Sequence, residues 1–381
     1  MKLTCLTAIL SVAWSAVGGA PAVLKDAFRK DFLIGAALNS SHFCETNSAE
    51  ATLVKQQFNS ISPEDVLKWE SVHPAPGKFN FSLADRYVGF GVTNKMFIIG
   101  HNLIWHEQTP AWVFQDEAGN PASRDLLLAR MREHIFTVVG RYQGKIRGWD
   151  VVNEALGSDG TLHPSPWLKI IGEDYVVKAY QFAHEADPQA ELYYNDFGLE
   201  HAAKCAGAVV LLKKLQAQGV HIAAVGLQGH YNMIWPTEED LTESIKAFST
   251  LGVKVSITEL DVDVLPSASN YTGADISLKF AARAELNPYP DGLPGAVQQQ
   301  LAQRYADLFN IFMKHRHEIQ RVTFWGVTDG GSWLNNWPIR GRTSYPLLFD
   351  RNGQPKPAFE AVIHTTHAKK LTYTESQTTT R

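Results

Sequence analysis

Two glutamates in this 381-residue chain stand where a charge is costly. Glu154 closes the apolar run WDVVN, and Glu259 closes VSIT. A carboxylate at the end of an apolar segment needs a partner or a purpose to offset its lost hydration. Two opposed carboxylates suit cleavage of a glycosidic bond. One protonates the leaving oxygen, while the other attacks the anomeric carbon or activates water. The competing reading, two surface glutamates in salt bridges, sits poorly with apolar flanks on both. Other polar residues end apolar runs in the same way: Asn39, Glu64-Asp65, His101-Asn102, Asn153, Asn195-Asp196, Gln228 with His230, Asp261, and Trp325 with Asp329 beyond it. Lys68 and Trp105 follow such runs within a turn or so.

Few other chemistries compete. The chain has no Cys-x-x-Cys, and the pairs His101/His106 and His315/His317 lack the HExxH spacing of a helical zinc site. No metal and no cofactor is expected. The net charge of −4 leaves no basic surplus for a phosphate backbone, so nucleic acid is a poor partner. Charged residues are only 19% of the chain, whereas 10 Trp, 12 Tyr and 19 Phe give 41 aromatics. Aromatic faces combined with little charge suit a neutral, hydroxyl-rich ligand, although core packing explains aromatics equally well. Cys44 and Cys205 fit either one disulfide or two buried thiols.

The elements that must position these residues alternate along the chain. Strand-like runs fall at 32–38, 58–62, 96–103, 146–152, 191–195, 223–228, 253–260 and 321–327. Several are apolar on both faces, as parallel strands covered on both sides require. Helical patterns occupy 48–57, 83–93, 124–142, 175–186, 202–218, 237–251, 296–317 and 357–366. Thr237 with Asp240 three residues on reads as a capping box, and Gly219 and Gly252 stand where helix C-caps belong. Eight strand–helix units in order predict an α/β fold, a single (β/α)8 TIM barrel, in which strand C-termini gather on one reactive face. The rival is an open doubly wound sheet, which needs a glycine-rich loop after its first strand. This chain has NSSHFCETN there.

Residues 1–20 read as a secretory signal peptide: Lys2, then an apolar stretch over 3–17, then small residues with cleavage after Ala20 or Ala22. Residues 21–366 form the catalytic domain and 367–381 a polar tail. The expectation is a secreted or periplasmic monomer, with no membrane contact once the leader is removed.

WDVVNEAL, ITELDV, GHNLIWHEQTPAW, LQGHYN, LYYNDFGLE and FWGVTDGGSWL together resemble the glycoside hydrolase family 10 xylanases. The resemblance runs from Leu24 to Ile363. It implies a retaining endo-1,4-β-xylanase that works by double displacement through a covalent glycosyl-enzyme, with xylan and xylo-oligosaccharides as partners. On that resemblance Glu154 looks like the acid/base and Glu259 like the nucleophile. Such a division needs a raised pKa at Glu154 and an ionised Glu259, with the carboxyls ~5–5.5 Å apart. His230 and Asp261 resemble the pair that supports the nucleophile, and Asn153 the amide that binds the sugar 2-hydroxyl. Glu64, Lys68, His101, Trp105 and Gln228 resemble sugar contacts on the glycone side, with Trp325 and Trp333 as aromatic walls. Asn195 and Asp196 resemble polar residues near the fifth strand. The family pattern has Asn where this chain has Asp65, which accepts hydrogen bonds but has no amide to donate. The long segment 263–295 is expected to line the leaving-group side, with Tyr271 and Tyr289 as candidate platforms. Activity on mixed-linkage β-glucan or aryl cellobiosides, or sugar binding without catalysis, are the alternatives.

Overall fold

The computed structural model describes residues 22–268 and 274–366. The leader, Cys5, Tyr271 and the tail 367–381 lie outside the described residues. Among the described residues there are nine strands: β1 (Leu33–Leu38), β2 (Ser60–Pro63), β3 (Phe97–Ile104), β4 (Gly148–Asn153), β5 (Glu191–Asp196), β6 (Ala224–Leu227), β7 (His230–Asn232), β8 (Lys254–Asp263) and β9 (Ile319–Phe324). Every pairing is parallel. β1 to β6 pair in sequence, β6 pairs with β8, β8 with β9, and β9 returns to β1, which closes an eight-stranded barrel. The expected fold is therefore present.

The strands are buried almost throughout, as their two-sided apolar patterns require. Glycine makes room where bulky side chains fill the barrel. A Cβ at Gly100 would lie 2.1 Å from the Trp149 ring, and one at Gly148 would lie 2.3 Å from the Tyr193 hydroxyl.

The helices match the sequence pattern closely. Ser48–Gln57 and Tyr175–Ala186 fall as expected, the other six expected helices differ by one to three residues at their ends, and the short helices Leu24–Ala27, Ser40–Phe43, Trp69–Val72 and Pro166–Ile171 were not anticipated. The Thr237–Asp240 capping box opens Glu238–Ser249, and Gly219 and Gly252 take positive φ beyond their helices. One difference bears on the site. The seventh barrel strand, β8, runs on to Asp263, and the short β7 pairs with its extension and sets His230 opposite Asp261. This pairing had no pattern to announce it, because β7 is only three residues long. Cys44 and Cys205 are free thiols, each half-buried rather than buried as expected for an unpaired pair. Among the described residues no helix is long and apolar enough to cross a membrane.

Candidate active site

Register shifts interrupt the β3–β4 pairing between His101 and Ile104 and the β4–β5 pairing between Asp150 and Val152. Such irregularities re-aim side chains at a barrel rim. Just beyond β4, Glu154 has φ +54°, a left-handed conformation that costs a non-glycine residue energy. Its backbone N–H donates to the Asn195 carbonyl at 2.9 Å. Trp105 Nε1 donates to its Oε2 at 2.7 Å, and Gln228 Nε2 to its Oε1 at 2.9 Å. Burial raises the Glu154 pKa to about 7, assisted by the carboxylates of Asp196 and Glu259 and opposed by the two hydrogen bonds. Asp196 is itself buried and paired with Lys204 at 2.7 Å.

Glu259 sits within β8 and is as deeply buried, at 5% exposure against 7% for Glu154. Burial alone would raise its pKa too, yet the result is a lowered one. The His230 hydrogen bond, the charges of His101 and His230, and the Asn195 amide outweigh desolvation. His230 Nε2 lies 3.2 Å from Glu259 Oε2, and its Nδ1 lies 3.0 Å from Asp261 Oδ1. Although burial opposes the charge, Asp261 and Glu259 raise the imidazole pKa to about 10, so His230 is a cation at neutral pH.

Asn195 and Gln228 hold both glutamates at once. The Asn195 carbonyl accepts from the Glu154 N–H, while its Nδ2 donates to Glu259 Oε1 at 2.8 Å. Gln228 Nε2 donates to Glu154, while its carbonyl accepts from the Glu259 N–H at 2.6 Å. Asn195 Nδ2 also donates to Asn153 Oδ1 at 2.8 Å, which leaves the Asn153 amide N–H groups to act as donors.

These side chains open on a groove of about 650 Å³. Glu64, Lys68, His101, Trp105, Asn153, Glu154, Gln228, His230, Glu259, Trp325 and Trp333 all line it. Asp261 stands behind His230, at 1% exposure. His101 is held by Asp150, with Nδ1 2.9 Å from Oδ2. Lys68 donates to Asp65 at 3.1 Å and to Gln108 at 2.7 Å, with its ammonium 5.1 Å from the Trp105 ring centre. Burial and the Asp65 charge raise the Glu64 pKa to about 7, with Lys68 opposing. Asp65 thus binds the lysine at the position where the family pattern has an amide.

The sequence did not single out Gln108, Ala274, Ile276 or Gly331, which also line the groove. They come from loops without a repeating pattern. Within the long loop after β8, Asp275 and Ile276 line a second cavity of about 1380 Å³ together with His106, His163, Phe197 and His201. Glu154 and Ile276 border both spaces. Tyr289 is not a platform here. Its ring packs against the core, and its carbonyl accepts from the Tyr345 hydroxyl at 2.6 Å. Asp196 does not line the groove and acts on Glu154 through its charge.

The arrangement offers a buried carboxyl that keeps its proton near neutrality, a second that stays ionised, and a groove rich in hydrogen-bonding groups and indoles. Proton donation and nucleophilic attack on a polyhydroxylated substrate are both within its chemistry. Residues 23–365 match the model of Glycosyl hydrolase family 10. The chain is 45% identical over 364 residues to endo-1,4-beta-xylanase A of Xylanibacter ruminicola, covering 95% of this chain and 98% of that protein. It is 42% identical to a beta-1,4-xylanase of Dictyoglomus thermophilum, over 89% of this chain and 90% of that one. Among solved structures, a GH10 endoxylanase retrieved from a sugarcane soil metagenome superimposes with a TM-score of 0.87 at 44% identity, covering 89% of this chain and 99% of that one.

Proposed function

The chain belongs to glycosyl hydrolase family 10, and on that premise we propose that it is a retaining endo-1,4-β-xylanase. Glu154 protonates the leaving glycosidic oxygen while Glu259 attacks the anomeric carbon and forms a glycosyl-enzyme. Glu154, now a carboxylate, then takes a proton from the water that hydrolyses the intermediate. The observation that carries this reading is the opposite bias of two buried carboxyls held by the same two residues. The Glu154 pKa is raised to about 7, and the Glu259 pKa is lowered by a cationic His230 and the Asn195 amide.

His230 and Asp261 keep Glu259 charged and aimed. Asn153 donates to the 2-hydroxyl at the cleavage point, where a contact that tightens in the transition state raises kcat. Glu64, Lys68, His101 and Gln228 bind sugar hydroxyls, and Trp105, Trp325 and Trp333 wall the groove. The names of the relatives support xylan as the polymer. The pattern of residues 1–20 supports export from the cytoplasm.

Reducing-sugar release from arabinoxylan is expected to exceed release from carboxymethylcellulose and barley β-glucan. Absence of release from any xylan overturns the proposal, and a preference for β-glucan reassigns the substrate. Roles are tested by substitution. Glu154→Ala should lower xylan turnover roughly 10²–10⁴-fold while keeping appreciable glycosylation of an aryl glycoside with a good leaving group. Glu259→Ala should lose both. Equal losses on the aryl glycoside contradict the assignment.

A further inference from the structure

The indole of Trp333 stacks on Trp337, lies close to the His230 ring and turns its N–H edge to a charge. Its Nε1–H donates to Asp261 Oδ2 at 2.7 Å. The other oxygen of that carboxylate faces His230 Nδ1, whose ring reaches Glu259 through Nε2. Asp261 is 1% exposed, so its two oxygens depend on these two partners. We infer that Trp333 is a positioning residue for the nucleophile: its indole N–H fixes the rotation of Asp261, which orients His230 and through it Glu259. This rests on Glu259 being the nucleophile.

The surroundings make that one bond decisive. Beside the relay lies a small cavity of about 70 Å³, bordered by Asp261, Asp263, Trp333, Trp337 and Arg342. On that side the packing leaves a gap, so the two hydrogen bonds to Asp261 contribute to holding its rotation. Trp337 stacks on the Trp333 ring at 4.4 Å and 16°, which holds the indole plane, while the His230 ring lies 4.8 Å away at 55°. A wall for sugars could be built from any aromatic ring. Only tryptophan presents a donor-only N–H at this edge. Without it one Asp261 oxygen loses its donor, the carboxylate holds His230 less firmly, and Glu259 keeps Asn195 as its other side-chain donor. The charged and titratable groups around the relay are few. Glu259 faces His230, His101 and Glu154, while Asp261 faces His230, Asp263 (paired with Arg342) and Tyr305.

Trapping of the glycosyl-enzyme with a 2-deoxy-2-fluoro-xylobioside that carries a good leaving group tests this directly. In the wild type the label should fall on Glu259. In Trp333→Phe, which keeps a ring in the wall, trapping should slow roughly tenfold, the loss associated with one hydrogen bond to a charged group. Affinity should change less, and the acid limb of kcat/KM should move to higher pH, because Glu259 has lost part of what keeps it ionised. If Trp333→Phe melts early, 3-benzothienylalanine at position 333 removes the N–H at nearly constant shape and gives the same reading. Asp261→Asn closes a double-mutant cycle: Trp333→Phe should add little to it if both act through one relay, whereas multiplicative losses overturn the inference. So does a variant with wild-type trapping rate and acid limb whose only defect is weaker binding. A label on another residue removes the nucleophile assignment and this inference together. A label on Glu259 with an unchanged rate removes this inference alone.

Discussion

A carboxyl with a pKa near 7 at Glu154 and one held low at Glu259 divide the pH axis between them. On the proposed mechanism turnover needs the first protonated and the second ionised, so kcat/KM should fall on the alkaline side near 7 and on the acid side below the usual carboxylate range. Burial of Glu154 sets the alkaline limb, and Gln228 tunes it. Its Nε2–H favours the charged form of Glu154, so Gln228→Leu should move that limb to higher pH while lowering kcat. A limb that stays or moves to lower pH contradicts this. Only part of this chemistry was legible from the sequence. Glu154, Glu259 and Asp261 announce themselves as charges against apolar runs, and Asp65 as a departure from a familiar pattern. The dual grip of Asn195 and Gln228 did not, because it uses one side chain and one carbonyl from each residue on strands far apart in sequence.

Elements are held together here by a stack with its own pH dependence. Trp69, from the short helix after β2, lies face to face with His134, on Arg124–Arg141, at 3.7 Å and 4°. His73 lies 5.6 Å from His134 in a parallel plane and 3.9 Å from Phe79. Both imidazoles are fully buried, with no protein partner for any ring nitrogen. Burial lowers the His73 pKa to about 4 and carries His134 well down, with the His73 charge adding to the effect. In the unfolded chain both titrate near 6.5. Above that pH neither state binds the proton and stability is unaffected. Below it the unfolded chain takes up protons that the native stack refuses, so stability falls as pH drops from about 6.5 toward 4. His134→Phe should flatten the decline, retaining roughly 2–5 °C more of the Tm between pH 7 and 4.5 than the parent retains. Parallel Tm–pH curves for the two proteins count against the stack as the cause. Helix positions were readable because 3.6-residue periodicity repeats over many residues. The ends of strands were not, since the run of β8 to Asp263 and the three residues of β7 depend on a pairing across the chain.

The described residues form one closed barrel whose reactive face is assembled from nearly every strand end, and its alternating pattern was visible from the period of the apolar residues. The length of the loop after β8 announced a part in the site, but not that it carries Ile276 to the boundary that Glu154 shares between the central groove and the 1380 Å³ cavity. On the proposed two-step displacement a group departing past Glu154 would leave by way of this cavity, and whatever next entered it would meet the carboxylate ready to take a proton. The space is far larger than a water needs, and a sugar hydroxyl is as good a nucleophile as water once it is oriented. Free oligosaccharide should therefore compete with solvent for the glycosyl-enzyme. At high xylo-oligosaccharide concentration, chromatography is expected to show early products longer than the substrate, and products that only shorten at every concentration speak against it. The same opening through which the polymer is cut would then also join chains, with acceptor concentration deciding the direction.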